Sequence, residues 1–143
     1  MNPTHSHYAS LLTLALLALT SSGCSGATDQ REEMVEIRGR VHVDGEPAPE
    51  LIVKLYPQGS EASISTGITS EDGSFVISTY RQGDGAPPGE YRVGCEWGTY
   101  DRGKRMYTGD QLGGRYASPE NSGIVWNVTA GEAFDAGTLD LER

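Results

Sequence analysis

Val35-Glu-Ile-Arg-Gly-Arg-Val-His-Val-Asp-Gly45 decides the fold class of this chain. Val35, Ile37, Gly39, Val41 and Val43 fall on one face at period two, and Glu36, Arg38, Arg40 and His42 on the other. That alternation predicts a half-buried β-strand, closed by a tight turn at Asp44-Gly45 because glycine adopts positive φ without a steric penalty. The same reading extends along the chain. Leu51–Tyr56 forms a second strand, Ser63–Thr69 a polar third, and Ser74–Tyr80 a fourth after the Glu71-Asp72-Gly73 turn. Glu90–Trp97 puts Tyr91, Val93, Cys95 and Trp97 on one face, which predicts that all four belong to the core. Gly123–Thr129 and Phe134–Leu141 complete a set of seven strands, spaced as in an antiparallel β-sandwich. No stretch after residue 24 keeps helical periodicity over three turns. Residues 98–122 carry no period and read as one long loop, which in a compact domain is often the functional part.

Upstream of the domain, Leu11-Leu-Thr-Leu-Ala-Leu-Leu-Ala-Leu-Thr-Ser-Ser-Gly-Cys24 supplies an address. The nine residues from Leu11 to Leu19 rise ~1.5 Å each and are too short for a ~30 Å hydrocarbon core. The run fits the hydrophobic region of a secretory signal peptide. Its end, with Cys24 directly after Gly23, resembles a bacterial lipobox, in which the cysteine is lipidated and becomes the mature N-terminus. The resemblance implies export and a lipid anchor on Cys24, and Ser25 in the next position implies the outer membrane rather than the inner. Simple secretion with an incidental cysteine is the alternative. The expected organisation is a signal peptide at 1–23, a small, polar, flexible tether at 24–34 and one domain at 35–143.

Composition narrows the function. Removing residues 1–23 leaves 120 of the 143 residues, enough for one domain. All 11 Lys/Arg and all 20 Asp/Glu follow Cys24, so the mature chain carries the formal charge of −9. Such a domain repels phosphate backbones, and nucleic acid is not an expected partner. With Cys24 acylated, Cys95 has no intramolecular disulfide partner. Its place on the apolar face makes it a small core hydrophobe rather than a nucleophile. His42 is the one histidine outside the first ten residues and sits on the polar face, a weak signal for metal. Asp72, Asp84, Asp110 and Asp135 read as turn formers, without the ligand spacing of a calcium loop. No pair of carboxylates is singled out for glycosidic chemistry, and no motif implies a cofactor. The loop combines Tyr100, Arg102, Arg105, Tyr107, Arg115 and Tyr116, with Lys104 beside them. Aromatic and basic residues together suit contact with a glycan or an anionic polymer. They equally suit a loop packed on its own sandwich.

The turn chemistry carries a likeness. Gly39-Arg-Val-His-Val-Asp-Gly-Glu-Pro-Ala-Pro49, Thr69-Ser-Glu-Asp-Gly-Ser-Phe75 and Pro88-Gly-Glu-Tyr-Arg-Val93 resemble the carboxypeptidase regulatory-like domain. Gly83-Asp-Gly-Ala-Pro-Pro-Gly-Glu-Tyr91 and Arg115-Tyr-Ala-Ser-Pro-Glu120 look like small lipoproteins of planctomycete bacteria. Across residues 37–141 the resemblance implies a seven-stranded Greek-key β-sandwich, transthyretin-like (prealbumin-like), with Tyr91 turned inward. A ureide hydrolase also uses this fold, but it needs several histidines and a C-terminal Tyr-Arg-Gly-Ser, whereas this chain ends Leu-Asp-Leu-Glu-Arg143. The expected role is non-enzymatic: a binding or structural module on the cell envelope, with envelope proteins or glycans as partners. A carbohydrate-binding accessory is the alternative.

Overall fold

Strand β1 (Ile37–Val43) buries Ile37, Val41 and Val43, the face that alternation assigns to the core. It closes in a two-residue hairpin at Asp44 and Gly45, whose φ values of 52° and 85° are those of a primed turn. This computed structural model describes residues 33–143, so the signal segment, Cys24 and most of the tether lie outside the described residues. The remaining elements follow in order: β2 (Glu46–Pro47), β3 (Ile52–Pro57), β4 (Ser65–Ile68), β5 (Ser74–Val76), β6 (Gly89–Glu96), β7 (Thr99–Asp101), β8 (Met106–Thr108), α1 (Pro119–Ser122), β9 (Ile124–Val128) and β10 (Phe134–Leu141).

The result is an all-β sandwich. One sheet sets β1 between β10 on one edge and β2 and β5 on the other, and the second runs β4-β3-β6-β9. The seven strands read from the sequence are all present. One pairing departs from the antiparallel expectation, because β1 and β10 run parallel, Ile37 opposite Phe134 and Val43 opposite Leu141. The first and last strands cannot share a hairpin, and nothing in their alternation records their relative direction.

The core lies between the sheets. Leu51, Val53, Leu55, Ile77, Val93 and Cys95 are buried, facing Ile37 and Val41. Trp126 spans the gap: its ring lies 6.2 Å from Phe75 with the planes 4° apart, and 5.6 Å from Phe134. Phe75 reaches this position because Gly39 has no side chain. A Cβ there would lie 2.8 Å from the Phe75 Cζ. Gly85, with φ 84°, lets the loop after β5 close on the start of the domain. A Cβ on it would meet the Val35 carbonyl oxygen at 1.7 Å, and the Val35 and Ala86 backbones exchange hydrogen bonds there. Tyr91 is turned inward, as the resemblance implies, and its hydroxyl donates to the Pro87 carbonyl at 2.7 Å. The two buried polar residues are paired: Ser65 Oγ lies 2.6 Å from Thr79 Oγ1, and Thr69 Oγ1 accepts from Leu51 N while donating to Ala48 O.

One expectation is corrected. Trp97 is half-buried at the sandwich end rather than a core residue. β6 stops at Glu96, and the Trp97 indole donates to the Pro49 carbonyl at 2.9 Å while the Arg143 guanidinium lies 5.2 Å above its ring. His42 is partly shielded, its Nδ1 3.8 Å from Asp140 of the neighbouring strand.

Two outcomes follow for stability. Trp126→Ala should cost about 3–5 kcal/mol and Trp97→Ala about 1–2 kcal/mol, since only the first empties the centre of the core. Urea unfolding of both variants measures the order, and a larger loss at Trp97 would refute this placement. The second outcome concerns Asp84, whose carboxylate accepts from the amides of Thr79, Tyr80 and Arg81 at 2.7–3.0 Å. Burial pushes its pKa up, but the amides of Thr79, Arg81 and Tyr80 outweigh burial and hold it below the ordinary 3.8. A group held low stabilises the fold above its ordinary value and loses that contribution as pH falls through the lowered one. Asp84→Asn should therefore flatten the decline of stability below about pH 4. Chemical denaturation along an acid series checks it, and an unchanged slope would count against this role.

Candidate functional site

The segment predicted as one featureless loop has its own architecture. After Trp97 the chain turns at Gly98, where a Cβ would lie 2.6 Å from the Gly109 carbonyl, so the two arms leave the sandwich in close contact. β7 and β8 then pair as a hairpin, Thr99 opposite Thr108 and Tyr100 opposite Tyr107. Asp110 fixes its base. One carboxylate oxygen accepts from Trp97 N and Leu112 N, both at 3.0 Å, and the other from Gly114 N at 2.8 Å. Leu112 is buried in the core beneath. Short-range turn chemistry therefore builds the hairpin, with too few residues per strand for an alternation to be read. Further on, Ser118 caps the four-residue helix α1 by accepting from Glu120 N.

Of the six candidate residues, four share the hairpin and two do not. The Tyr100 and Tyr107 rings are 5.2 Å apart and tilted by 56°, and Tyr100 remains 44% exposed. Partial burial, the Glu50 carboxylate and Tyr100 together push the Tyr107 phenol up, so it stays protonated and able to donate at neutral pH. Arg102 and Arg105 lie in the turn with Gly103 and Lys104, all exposed. Asp101 shapes that turn by accepting from Gly103 N and Lys104 N.

Arg115 and Tyr116 lie outside the hairpin, beside the end of the chain's last strand. Tyr116 packs against the core, its backbone oxygen accepts from Cys95 N at 2.7 Å, and its hydroxyl accepts from Glu142 N at 3.3 Å. Arg115 reaches the Glu142 carbonyl at 3.5 Å. Tyr116 is thus packed on the sandwich, while Arg115 stays exposed.

Sequence reasoning did not find a second concave feature. A cleft of about 600 Å³ runs across β5, β1 and β10, with Arg38, Arg40, Gln82 and Thr138 among its polar walls and Ile68 and Val76 as apolar ones. Alternation had marked Arg38 and Arg40 as outward, yet a groove formed by strands distant in sequence leaves no local signature. Arg38 is already shared between Glu36 and Asp135, each at 3.7 Å.

The remaining candidate chemistry is engaged in structure. Cys95 is buried, and burial, with Asp110 nearby, pushes its thiol up to about 12. Asp72 is held by the Ser74 hydroxyl and amide, and Asp135 accepts from Gly137 N. Among the described residues no three His, Cys, Asp or Glu side chains are grouped so as to hold a metal ion.

No protein-family model and no curated protein sequence matches this chain. Among solved structures it is similar to a 9R-lipoxygenase from Cyanothece, at 16% identity and a TM-score of 0.43, over 76% of this chain and 16% of that one. It is also similar to a DUF3823 family protein from Parabacteroides merdae, at 15% identity and a TM-score of 0.39, over 78% of this chain and 46% of that one. A DUF3823 family protein from Bacteroides ovatus matches at 17% identity and a TM-score of 0.35, over 76% and 42%. The chain thus spans less than half the length of each of these three proteins. Likeness at this level defines no family and transfers no activity. The carboxypeptidase regulatory-like resemblance rests on the turn motifs alone.

The division of the candidate residues has a measurable consequence. Tyr107→Ala should change stability by less than about 1 kcal/mol, whereas Tyr116→Ala should cost about 2–3 kcal/mol because it opens the wall beside Cys95. Thermal melts of the two variants decide it. Equal losses would mean that the hairpin is integral to the sandwich.

Proposed function

We propose that the mature protein is an exported envelope lipoprotein, anchored through Cys24, whose carboxypeptidase regulatory-like sandwich serves as a non-enzymatic binding or structural module. The observation that carries this reading is the Leu11–Cys24 segment, an apolar run too short to span a bilayer that ends in small residues and a cysteine. Within the domain, Val35 is bridged to Ala86 at one end of β1, and the aromatic hairpin follows β6 at the other. The buried Cys95 thiol and the amide-bound aspartates are consistent with a role other than catalysis.

A second reading, a carbohydrate-binding accessory to other exported proteins, is favoured by the tilted pair Tyr100 and Tyr107. Exposed aromatic rings offer apolar faces to sugars.

Intact-mass spectrometry of protein extracted from native membranes tests the anchor. The expected species begins at Cys24 and carries a thioether-linked diacylglycerol, and each buried methylene adds ~0.8 kcal/mol of membrane affinity. Cys24→Ser should remain unprocessed or become soluble. A mature chain that begins at another residue, or an unmodified Cys24, would overturn the lipoprotein reading.

A further inference from the structure

The hairpin tip departs from the charge of the molecule that carries it. The chain is acidic, at formal charge −9. Several of its cations are neutralised in place. Lys54 is paired with Glu96, Arg92 with Glu120 at 2.7 Å, Arg143 with Asp44 at 3.4 Å, and Arg38 with Glu36 and Asp135. The tip is organised differently. Arg102, Lys104 and Arg105 crowd into one turn with a single local carboxylate, Asp101, which lies 3.7 Å from Lys104. The side chains of Arg102 and Arg105 make no ion pair or hydrogen bond among the described residues. Arg40, Arg81 and Arg115 also lack a carboxylate partner among the described residues, but they stand apart, whereas Arg102 and Arg105 share one turn at the end of the β7–β8 hairpin. At physiological ionic strength the Debye length is ~8 Å, so an anion meeting the tip responds to these cations more than to carboxylates on the sandwich body. Immediately behind the cations stand Tyr100 and Tyr107, with Met106 52% exposed between turn and shaft.

We infer that the β7–β8 hairpin is a binding element for an acidic polysaccharide, with the Arg102 and Arg105 guanidinium groups taking carboxylates of the polymer and the Tyr100 and Tyr107 rings lying against its sugar faces. This deepens the carbohydrate-binding reading above and rests on it. Arginine suits the task because its planar fork meets a carboxylate with two parallel hydrogen bonds. The exposed Tyr100 ring and its Tyr107 neighbour, standing directly behind these cations, favour a polymer of sugars over a lipid headgroup, which offers no sugar face to stack on.

The test uses the full-length mature protein in detergent micelles, with polygalacturonate as the acidic probe and dextran as the neutral one. Isothermal titration should show binding of polygalacturonate that weakens several-fold as salt rises, and no binding of dextran. Arg102→Glu with Arg105→Glu should lower the affinity at least tenfold, while Arg102→Lys with Arg105→Lys, which keeps the charge, should stay much closer to the parent. Tyr100→Ala should lower it several-fold without moving the melting temperature. Undiminished binding by the charge-reversed variant would overturn the inference. So would tighter binding of phosphatidylglycerol vesicles or single-stranded DNA than of polygalacturonate. Equal binding of dextran would overturn the acidic class while leaving the carbohydrate-binding reading in place. Failure to bind either polysaccharide would overturn both. None of these results depends on the state of Cys24.

Discussion

Strand β1 is paired on both edges, with one register shift at Gly39 on the β10 side, and the remainder of the domain is arranged around that fact. On one edge it meets β10 from Ile37 to Val43. On the other its partners succeed one another. Ile77 N donates to Ile37 O, β5 covers Arg38 to Arg40, Val41 N donates to Gly73 O, Ala48 N donates to Val41 O, and β2 covers His42 and Val43. A buried backbone group without a partner costs free energy comparable to a lost hydrogen bond, so this pairing restricts where the turns can lie. It requires the 44–45 hairpin, the turn at 70–73 and the return of the chain through Ala86 to lie where they do. It also draws the last strand of the domain against the first. That long-range closure locks the C-terminus into the fold and carries Arg143 to Trp97 and Asp44.

The irregular segments obey a second constraint. With one four-residue helix, the described chain has many loop amides and few regular partners for them. Aspartates supply the acceptors. Asp72, Asp84, Asp101, Asp110 and Asp135 each take at least one backbone amide close by, and Asp84 and Asp110 take three each. Hydrogen bonds to an ionised acceptor are stronger than neutral ones, so short turns gain rigidity from a few side chains. The acidic composition thus has a structural purpose as well as an electrostatic one. Carboxylates bound to local amides are aimed at their own turns, which is why the same residues do not converge on one another.

Period-two alternation made seven strands and the buried face of β1 legible, because burial on one face of a sheet imposes that period directly on the sequence. Alternation carries no information about what happens when a strand ends. Trp97 continues the phase of Tyr91, Val93 and Cys95, but β6 has stopped at Glu96, and the indole turns instead to the Pro49 carbonyl. Trp126 has the better claim to the core. It sits between Ile124 and Val128 at the correct phase, and its neighbours Phe75 and Phe134 come from the opposite sheet. The hairpin was illegible because three-residue strands are too short to show a period, although Asp101-Arg-Gly-Lys and the Gly98 and Gly109 positions were its local signals. Separating Tyr116 from Tyr107 required the fold, since each is an aromatic residue in a polar, glycine-rich run. The cleft over β1 joins residues from four distant segments and has no sequence signature at all.

These constraints divide the domain into two regimes. The sandwich is held by buried aliphatic and aromatic contacts between sheets whose strands are far apart in sequence, so it can be lost only as a unit. The β7–β8 hairpin makes its strand pairing within itself, and at its base Asp110, the Gly98–Gly109 approach and Leu112 tie it to the sandwich. Elements with few buried contacts open at lower free energy than the core they project from, and recognition segments are drawn from that end of the scale. Changes at the tip, where Arg102, Lys104 and Arg105 face solvent, are therefore separable from changes in the fold. A sequence can vary there without renegotiating β1. The same separation explains how an acidic sandwich can carry a basic tip. On the body, Arg38, Lys54, Arg92 and Arg143 are balanced by carboxylates in place, whereas Arg102 and Arg105 stand without a carboxylate partner among the described residues, in the turn at the end of the hairpin.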